Sequence, residues 1–162
     1  MKYKKNISIE LLDEHEKVNI YSVLYEGEKF TEFEKFLSKF SGSHPKDIGT
    51  IMARLDRIVE DGAFERHFRY AGKCKDRTAE LPSHFETSKL RLYCICVSPN
   101  ILILGNGGIK KTRTYQEDEL LNSFEKLLQQ IDSEIKKREK IDIIQISHVT
   151  LSGNLSLSIM IE

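Results

Sequence analysis

The residues of this chain best suited to chemistry are cations and tyrosines gathered around two apolar runs. Lys89, Arg91 and Tyr93 sit on the first run, and Lys110, Lys111, Arg113 and Tyr115 follow the second. Successive side chains of a strand point to opposite faces. Lys89, Arg91 and Tyr93 therefore share one face, and Leu90, Leu92, Cys94 and Cys96 share the other. An arginine beside a tyrosine can hold a phosphate bidentately and stack on a base, which makes RNA the natural polyanion for such a face. Cleaving RNA without a metal requires a deprotonated 2′-hydroxyl, stabilised charge on the phosphorane and a protonated leaving 5′-oxygen. Cations meet the second requirement. A lysine or tyrosine whose pKa falls in a dense positive field can meet the others, and Tyr70, Tyr93 and Tyr115 are near enough in sequence to qualify. His67 and His84 lie in the same basic stretch, but each stands alone and reads more simply as a surface or hydrogen-bonding residue.

The charge pattern points the same way. The 162 residues hold 25 Lys+Arg and 25 Asp+Glu, a net charge of zero. Residues 66–115 nevertheless hold 10 basic and 3 acidic residues, with no acid between Thr87 and Gln116, while both flanking segments are net acidic. Screening limits electrostatic reach to about 8–10 Å at physiological salt, so the local field rather than the total charge governs encounter with a polyanion.

Other motifs are less productive. Gly105-Asn106-Gly107-Gly108 lacks the spacing of a phosphate-binding loop and reads as a hinge or bulge. Cys94 and Cys96 have no second Cys/His pair at ligand spacing, so zinc is not indicated and both read as small core residues. No metal or other cofactor is called for. Three cysteines without a disulfide-type spacing suit a reducing cytoplasm. Apolar runs such as Ile101–Leu104 are too short to span a bilayer, and no apolar stretch follows the charged start as a secretory leader would require.

These residues need a scaffold, and the patterning supplies an α+β one. Ile7, Ile9 and Leu11 alternate, and Val18–Tyr25 is β-rich, which predicts an N-terminal hairpin. Thr31 followed by Glu34 is a capping box, and Phe30, Phe33, Phe36, Leu37 and Phe40 recur at helical spacing after it. Pro45 opens a second helix with Ile48, Ile51, Met52, Leu55, Ile58 and Val59 on one face, ending near Gly62. The polar span from Phe64 to Pro82 reads as a helical turn and a loop. Strands at about Leu90–Val97 and Ile101–Gly105 follow, joined at Ser98-Pro99-Asn100. Glu117-Asp118-Glu119 open a third helix with Leu120, Leu121, Phe124, Leu127, Leu128 and Ile131 facing inward. Lys136-Lys137-Arg138 suit its C-terminal end. The tail from Ile141 to Ile161 reads as a hairpin turning at Ser152-Gly153-Asn154. A single domain spans residues 1–162.

Residues 18–128 also carry a resemblance. Lys35-Phe36-Leu37, Leu55 to Gly62, Lys89-Leu90-Arg91-Leu92-Tyr93 and, above all, Ile101–Leu104 leading to Gly108-Ile109-Lys110-Lys111-Thr112 look like the RelE/HigB-type toxins of bacterial toxin–antitoxin modules, especially the phage-derived HigB-like branch. The resemblance implies a RelE/ParE-like twisted, mainly antiparallel sheet packed by two N-terminal helices. It implies a metal-independent endoribonuclease cleaving mRNA on the ribosome and neutralised by a cognate antitoxin protein. Arg91 would contact the scissile phosphate, Lys110 and Lys111 would bind RNA or rRNA backbone, and Tyr115 would stack or transfer a proton. Lys89, Tyr93 and Arg113 would complete the RNA-binding face. The strand at residues 6–12 and the hairpin at residues 141–161 lie outside the resemblance and would extend the sheet, mediate a homodimer or cover the active face. The alternative is a non-catalytic RNA- or protein-binding module on the same scaffold.

Overall fold

The computed structural model describes residues 3–70, 77–82, 89–110 and 115–161. In chain order its elements are β1 (Tyr3–Asp13), β2 (Asn19–Tyr25), α1 (Glu32–Phe40), α2 (Pro45–Asp61), one 3-10 turn (Glu65–His67), β3 (Arg69–Tyr70), β4 (Thr78–Leu81), β5 (Leu90–Ser98), β6 (Ile101–Ile109), α3 (Tyr115–Lys140), β7 (Ile144–Ile146), β8 (Leu151–Gly153) and β9 (Ser156–Ile161). This is an α+β architecture. The main sheet runs β3-β4-β5-β6-β2-β1-β9, antiparallel throughout except where β2 lies parallel to β6. A parallel pair needs a long crossover, and here α1, α2 and β3 to β5 provide it.

The sheet is buried on both sides. On one side α1 and α2 bring Phe33, Phe36, Phe40, Ile51, Leu55 and Ile58 against Leu90, Leu92, Cys94, Cys96, Leu102 and Leu104. On the other, Leu121, Leu127, Leu128, Ile131 and Ile135 of α3 cover Tyr93, Ile95, Ile101, Ile103, Tyr21 and Val23, joined by Ile144 and Leu151 of β7 and β8. Complete burial of an aliphatic side chain contributes roughly 1.5–3 kcal/mol, so these two layers hold the sheet from both faces.

Local signals place the elements. Thr31 caps α1 by accepting from the Glu34 N–H while the Glu34 carboxylate accepts from the Thr31 N–H, the predicted capping box. Buried Ser22 accepts from the Phe33 N–H and donates to the Leu104 carbonyl at 2.6 Å, tying the start of α1 to the parallel strand pair. Pro45 opens α2, and Gly62 ends it at φ +115°, a conformation that favours glycine. The Tyr21 hydroxyl accepts the Leu151 N–H at 3.0 Å and so seats the small β7–β8 sheet on the α3 side.

Several expectations need correction. The tail is not one hairpin turning at Ser152–Asn154. β7 pairs with β8 across a turn at 147–150, and the chain then leaves that pair so that β9 joins β1 in the main sheet. The polar span after Phe64 contains β3 and β4, and all four residues of β4 are buried. Phe30 precedes the helix cap and is exposed. Leu120 and Met52 also lie toward solvent rather than within the core. Among the described residues, no helix is long and apolar enough to cross a membrane.

Candidate functional site

Register determines which side chains meet. β5 and β6 pair with Arg91 opposite Gly108 and Leu90 opposite Ile109. From Leu92/Gly107 to Cys94/Leu104 the ladder advances two residues on β5 and three on β6, a bulge in β6. Without it, strict alternation would put Lys110 on the same side as Leu102 and Leu104. With it, Gly108 faces Leu121 of α3, Ile109 packs against the α1/α2 layer, and Lys110 turns to the face of Arg91 and Tyr93. The glycines permit this path. A Cβ on Gly107 would meet the Arg91 carbonyl oxygen at 1.9 Å, and one on Gly105 would meet Leu128 at 2.9 Å.

β4 then delivers an acid. Glu80 pairs in register with Tyr93, so its side chain shares that face. Its Oε1 lies 3.4 Å from Arg91 Nε and 3.2 Å from Lys110 Nζ. Side-chain exposure is 3% for Glu80, 9% for Arg91 and 34% for Lys110, so the cluster opens toward solvent through the lysine. Arg91 Nη1 also donates to the Leu90 carbonyl at 2.9 Å. The Lys89 carbonyl accepts the Lys110 N–H at 2.9 Å, its own N–H donates to Asp47 Oδ2 at 3.2 Å, and its side chain is exposed.

The predicted constellation is thus partly assembled. Arg91 and Lys110 converge on one carboxylate, with Lys89 exposed at the same end of β5. Tyr93 is buried in the α3 layer. Tyr115 begins α3, next to the basic segment in sequence, but its side chain lies outside the described residues, as do Lys111, Arg113, His84 and the side chain of Tyr70. His67 is buried. Burial, and then Arg66, Arg54 and Arg57, hold its imidazole below the ordinary range, while Asp61 at 3.7 Å opposes them.

Two acids that matter carried no signal in the linear charge pattern. Glu80 is one. The other is Asp132 on α3, 1% exposed, which accepts from Arg77 Nε at 2.8 Å and from the Arg77 N–H at 3.2 Å and lies 3.3 Å from Lys136. Arg77 Nη1 continues to the Val97 carbonyl at 3.0 Å, so this pair clamps α3 to the β4–β5 edge of the sheet. Both acids reach cations far away in sequence.

A second polar group closes the end of β2. Glu32, 3% exposed, pairs with Lys35 at 2.5 Å and accepts from Asn106 Nδ2 at 3.3 Å. Lys35 also meets Glu28 at 2.8 Å and lies 5.3 Å from the Tyr25 ring centre. Burial opposes the lysine's charge, but Glu28 and Glu32 outweigh it and hold the ammonium above its ordinary range. Burial, then Glu32 and Glu28, push the Tyr25 phenol up, so it remains protonated and can donate but not act as a base. Cys94 and Cys96 are buried as expected, and burial raises the Cys94 thiol. Among the described residues, no three His, Cys, Asp or Glu side chains gather as a metal-binding group. A cavity of about 700 Å³ between α3 and the end of β9 is lined by Tyr25, Phe124, Leu127, Gln130 and Ile161, and among the described residues none of the predicted site residues lines it.

Comparison with known proteins returns no matching family model, no matching curated protein and no matching solved structure.

Proposed function

We propose that this protein acts on RNA as a toxin of the RelE/HigB-like type, a metal-independent endoribonuclease that cleaves mRNA on the ribosome in the cytoplasm and is neutralised by a cognate antitoxin protein. The observation that carries the reading is the β6 bulge, which turns Lys110 onto the face where Arg91 meets Glu80. The element order agrees with a RelE/ParE-like assignment: two helices follow the first strand pair, a mainly antiparallel sheet comes next, and a third helix comes after the central strands. In this reading Lys110 meets the phosphate from its solvent-facing position. Arg91 supplies positive charge behind it as the phosphorane forms, Tyr115 at the start of α3 transfers a proton or stacks, and Lys89, Lys111 and Arg113 hold the backbone. Tyr93 takes part in base stacking only if α3 yields.

One observation favours a non-catalytic RNA-binding module instead: Arg91 and Tyr93 are buried, and the Arg91 charge is matched by Glu80. The two readings separate in a translating-ribosome assay with defined mRNA and excess chelator, using the wild type and Lys110→Ala. The endoribonuclease reading expects mRNA cleavage by the wild type and a loss of about 10²-fold or more in the variant. Salt-sensitive RNA binding without cleavage selects the binding module. Neither binding nor cleavage rejects both.

A further inference from the structure

The sheet ends on β9, and an exposed terminal strand is a template for another chain. The ladder with β1 determines which groups of β9 face outward. The Ile9 N–H donates to the Leu155 carbonyl at 3.0 Å, and the register continues through Ile7/Leu157, Lys5/Ile159 and Tyr3/Ile161. Antiparallel pairs alternate between bonded and non-bonded, so the N–H and C=O groups of Ser156, Ser158 and Met160 point away from β1.

Side chains occupy four of these six outward groups, three of them from α3. Gln130 bonds both main-chain groups of Met160: its Oε1 accepts the Met160 N–H at 2.6 Å and its Nε2 donates to the Met160 carbonyl at 2.9 Å. A carboxamide presents a donor and an acceptor side by side, as a neighbouring strand residue would. At the other end, Arg138 Nη1 donates to the Ser156 carbonyl at 2.8 Å and to the Asn154 carbonyl at 3.1 Å, and the Asn154 side chain accepts the Ser156 N–H at 3.1 Å. Ser158 lies between the two plugged positions, and no hydrogen bond of its outward main-chain groups is found among the described residues.

We infer that α3 closes this edge of the sheet, with Gln130 and Arg138 taking the hydrogen-bond positions that a strand from a second copy of the chain would need, so that the protein does not dimerise through β9. One open residue between two plugged ones is too short to register an incoming strand. The inference stands apart from the proposed RNA chemistry and bears on the homodimer expected from the added terminal strands.

The test combines amide exchange measured by NMR with sedimentation of the full chain. In the wild type the Met160 amide exchanges at least about tenfold more slowly than the Ser158 amide, and Gln130→Ala removes that difference. The wild type sediments as a monomer, whereas Gln130→Ala/Arg138→Ala self-associates as concentration rises. Adding Ser158→Pro returns it to monomer, because a proline lacks the outward N–H and is tolerated on an edge strand. Equal exchange of Met160 and Ser158 in the wild type overturns the inference. So does a wild-type dimer that Ser158→Pro dissociates, or a folded double variant that stays monomeric at millimolar concentration. If the double variant does not fold, the exchange result for Gln130→Ala decides.

Discussion

Glu80→Gln tests the central cluster on two axes that move in opposite directions. The amide nearly matches the carboxylate in shape, so packing beneath α3 is preserved while one negative charge is removed. Glu80 lies 3.4 Å from Arg91 and 3.2 Å from Lys110 and is 3% exposed. Breaking a buried ion pair by removing one partner costs about 3–5 kcal/mol, because the remaining charge is left uncompensated. Two features reduce that here. Arg91 keeps its bond to the Leu90 carbonyl, and Lys110, 34% exposed, turns to water, so its share is small. The expected loss is about 2–4 kcal/mol. At about 2–4 °C per kcal/mol for a domain of this size, Tm falls by about 5–15 °C. Thermal and urea denaturation of the wild type and variant measure it directly. RNA binding should move the other way. Removing the acid takes away the negative charge that competes with phosphate for Lys110, so RNA affinity at fixed salt should rise. A stability loss below about 1 kcal/mol would refute the claim that Glu80 holds the cations together. The expected stability loss with an unchanged RNA affinity would show that the cluster is structural and that RNA does not bind there.

Two further predictions rest on independent features. Gly107→Ala places a Cβ 1.9 Å from the Arg91 carbonyl oxygen, a contact with main chain that cannot be relieved by rotating a side chain. The expected result is a loss of about 3 kcal/mol or more in urea denaturation, or failure to fold, whereas Gly49→Ala on α2, with nothing within 4 Å, stabilises by about 0.5–1 kcal/mol. His67 is held below its ordinary pKa by burial and by Arg66, Arg54 and Arg57, so the unfolded chain takes up a proton more readily than the folded one. Its contribution is present above the unfolded value of about 6.5 and is lost as pH falls through the folded value, so the urea midpoint drops below pH 6.5. His67→Phe should flatten that part of the profile, and an unchanged slope would show that other groups set it.

Much of the local structure was legible because it depends on short-range chemistry. Thr31 and Glu34 form a capping box wherever the backbone turns helical. The alternation through Leu90, Leu92, Cys94 and Cys96 correctly separated the two faces of β5. Gly105 to Gly108 read as a hinge or bulge, and the β5–β6 register contains a bulge there. Expectations failed where a segment's environment came from distant chain. Thr78–Leu81 looked like loop because its polar residues gave no strand period, yet β4 lies between β3 and β5 and its glutamate is paired with Arg91. The tail read as one hairpin because local turn residues could not reveal that β9 would find the edge of β1.

The charge pattern shows the same division. The absence of acids between Thr87 and Gln116 is a property of the linear chain, and the sequence alone determined that the basic residues would be concentrated on and around β5 and β6. What surrounds those cations was decided only in three dimensions. Strand pairing brought Glu80 beside Arg91 and Lys110, and helix packing brought Asp132 onto Arg77. The bulge alone set the face on which Lys110 lies. The physical reason is that helix caps, turns and alternation depend on neighbours a few residues apart, while an ion pair depends on distances of 3–4 Å. Strand order and register set those distances, and no local sequence window contains them.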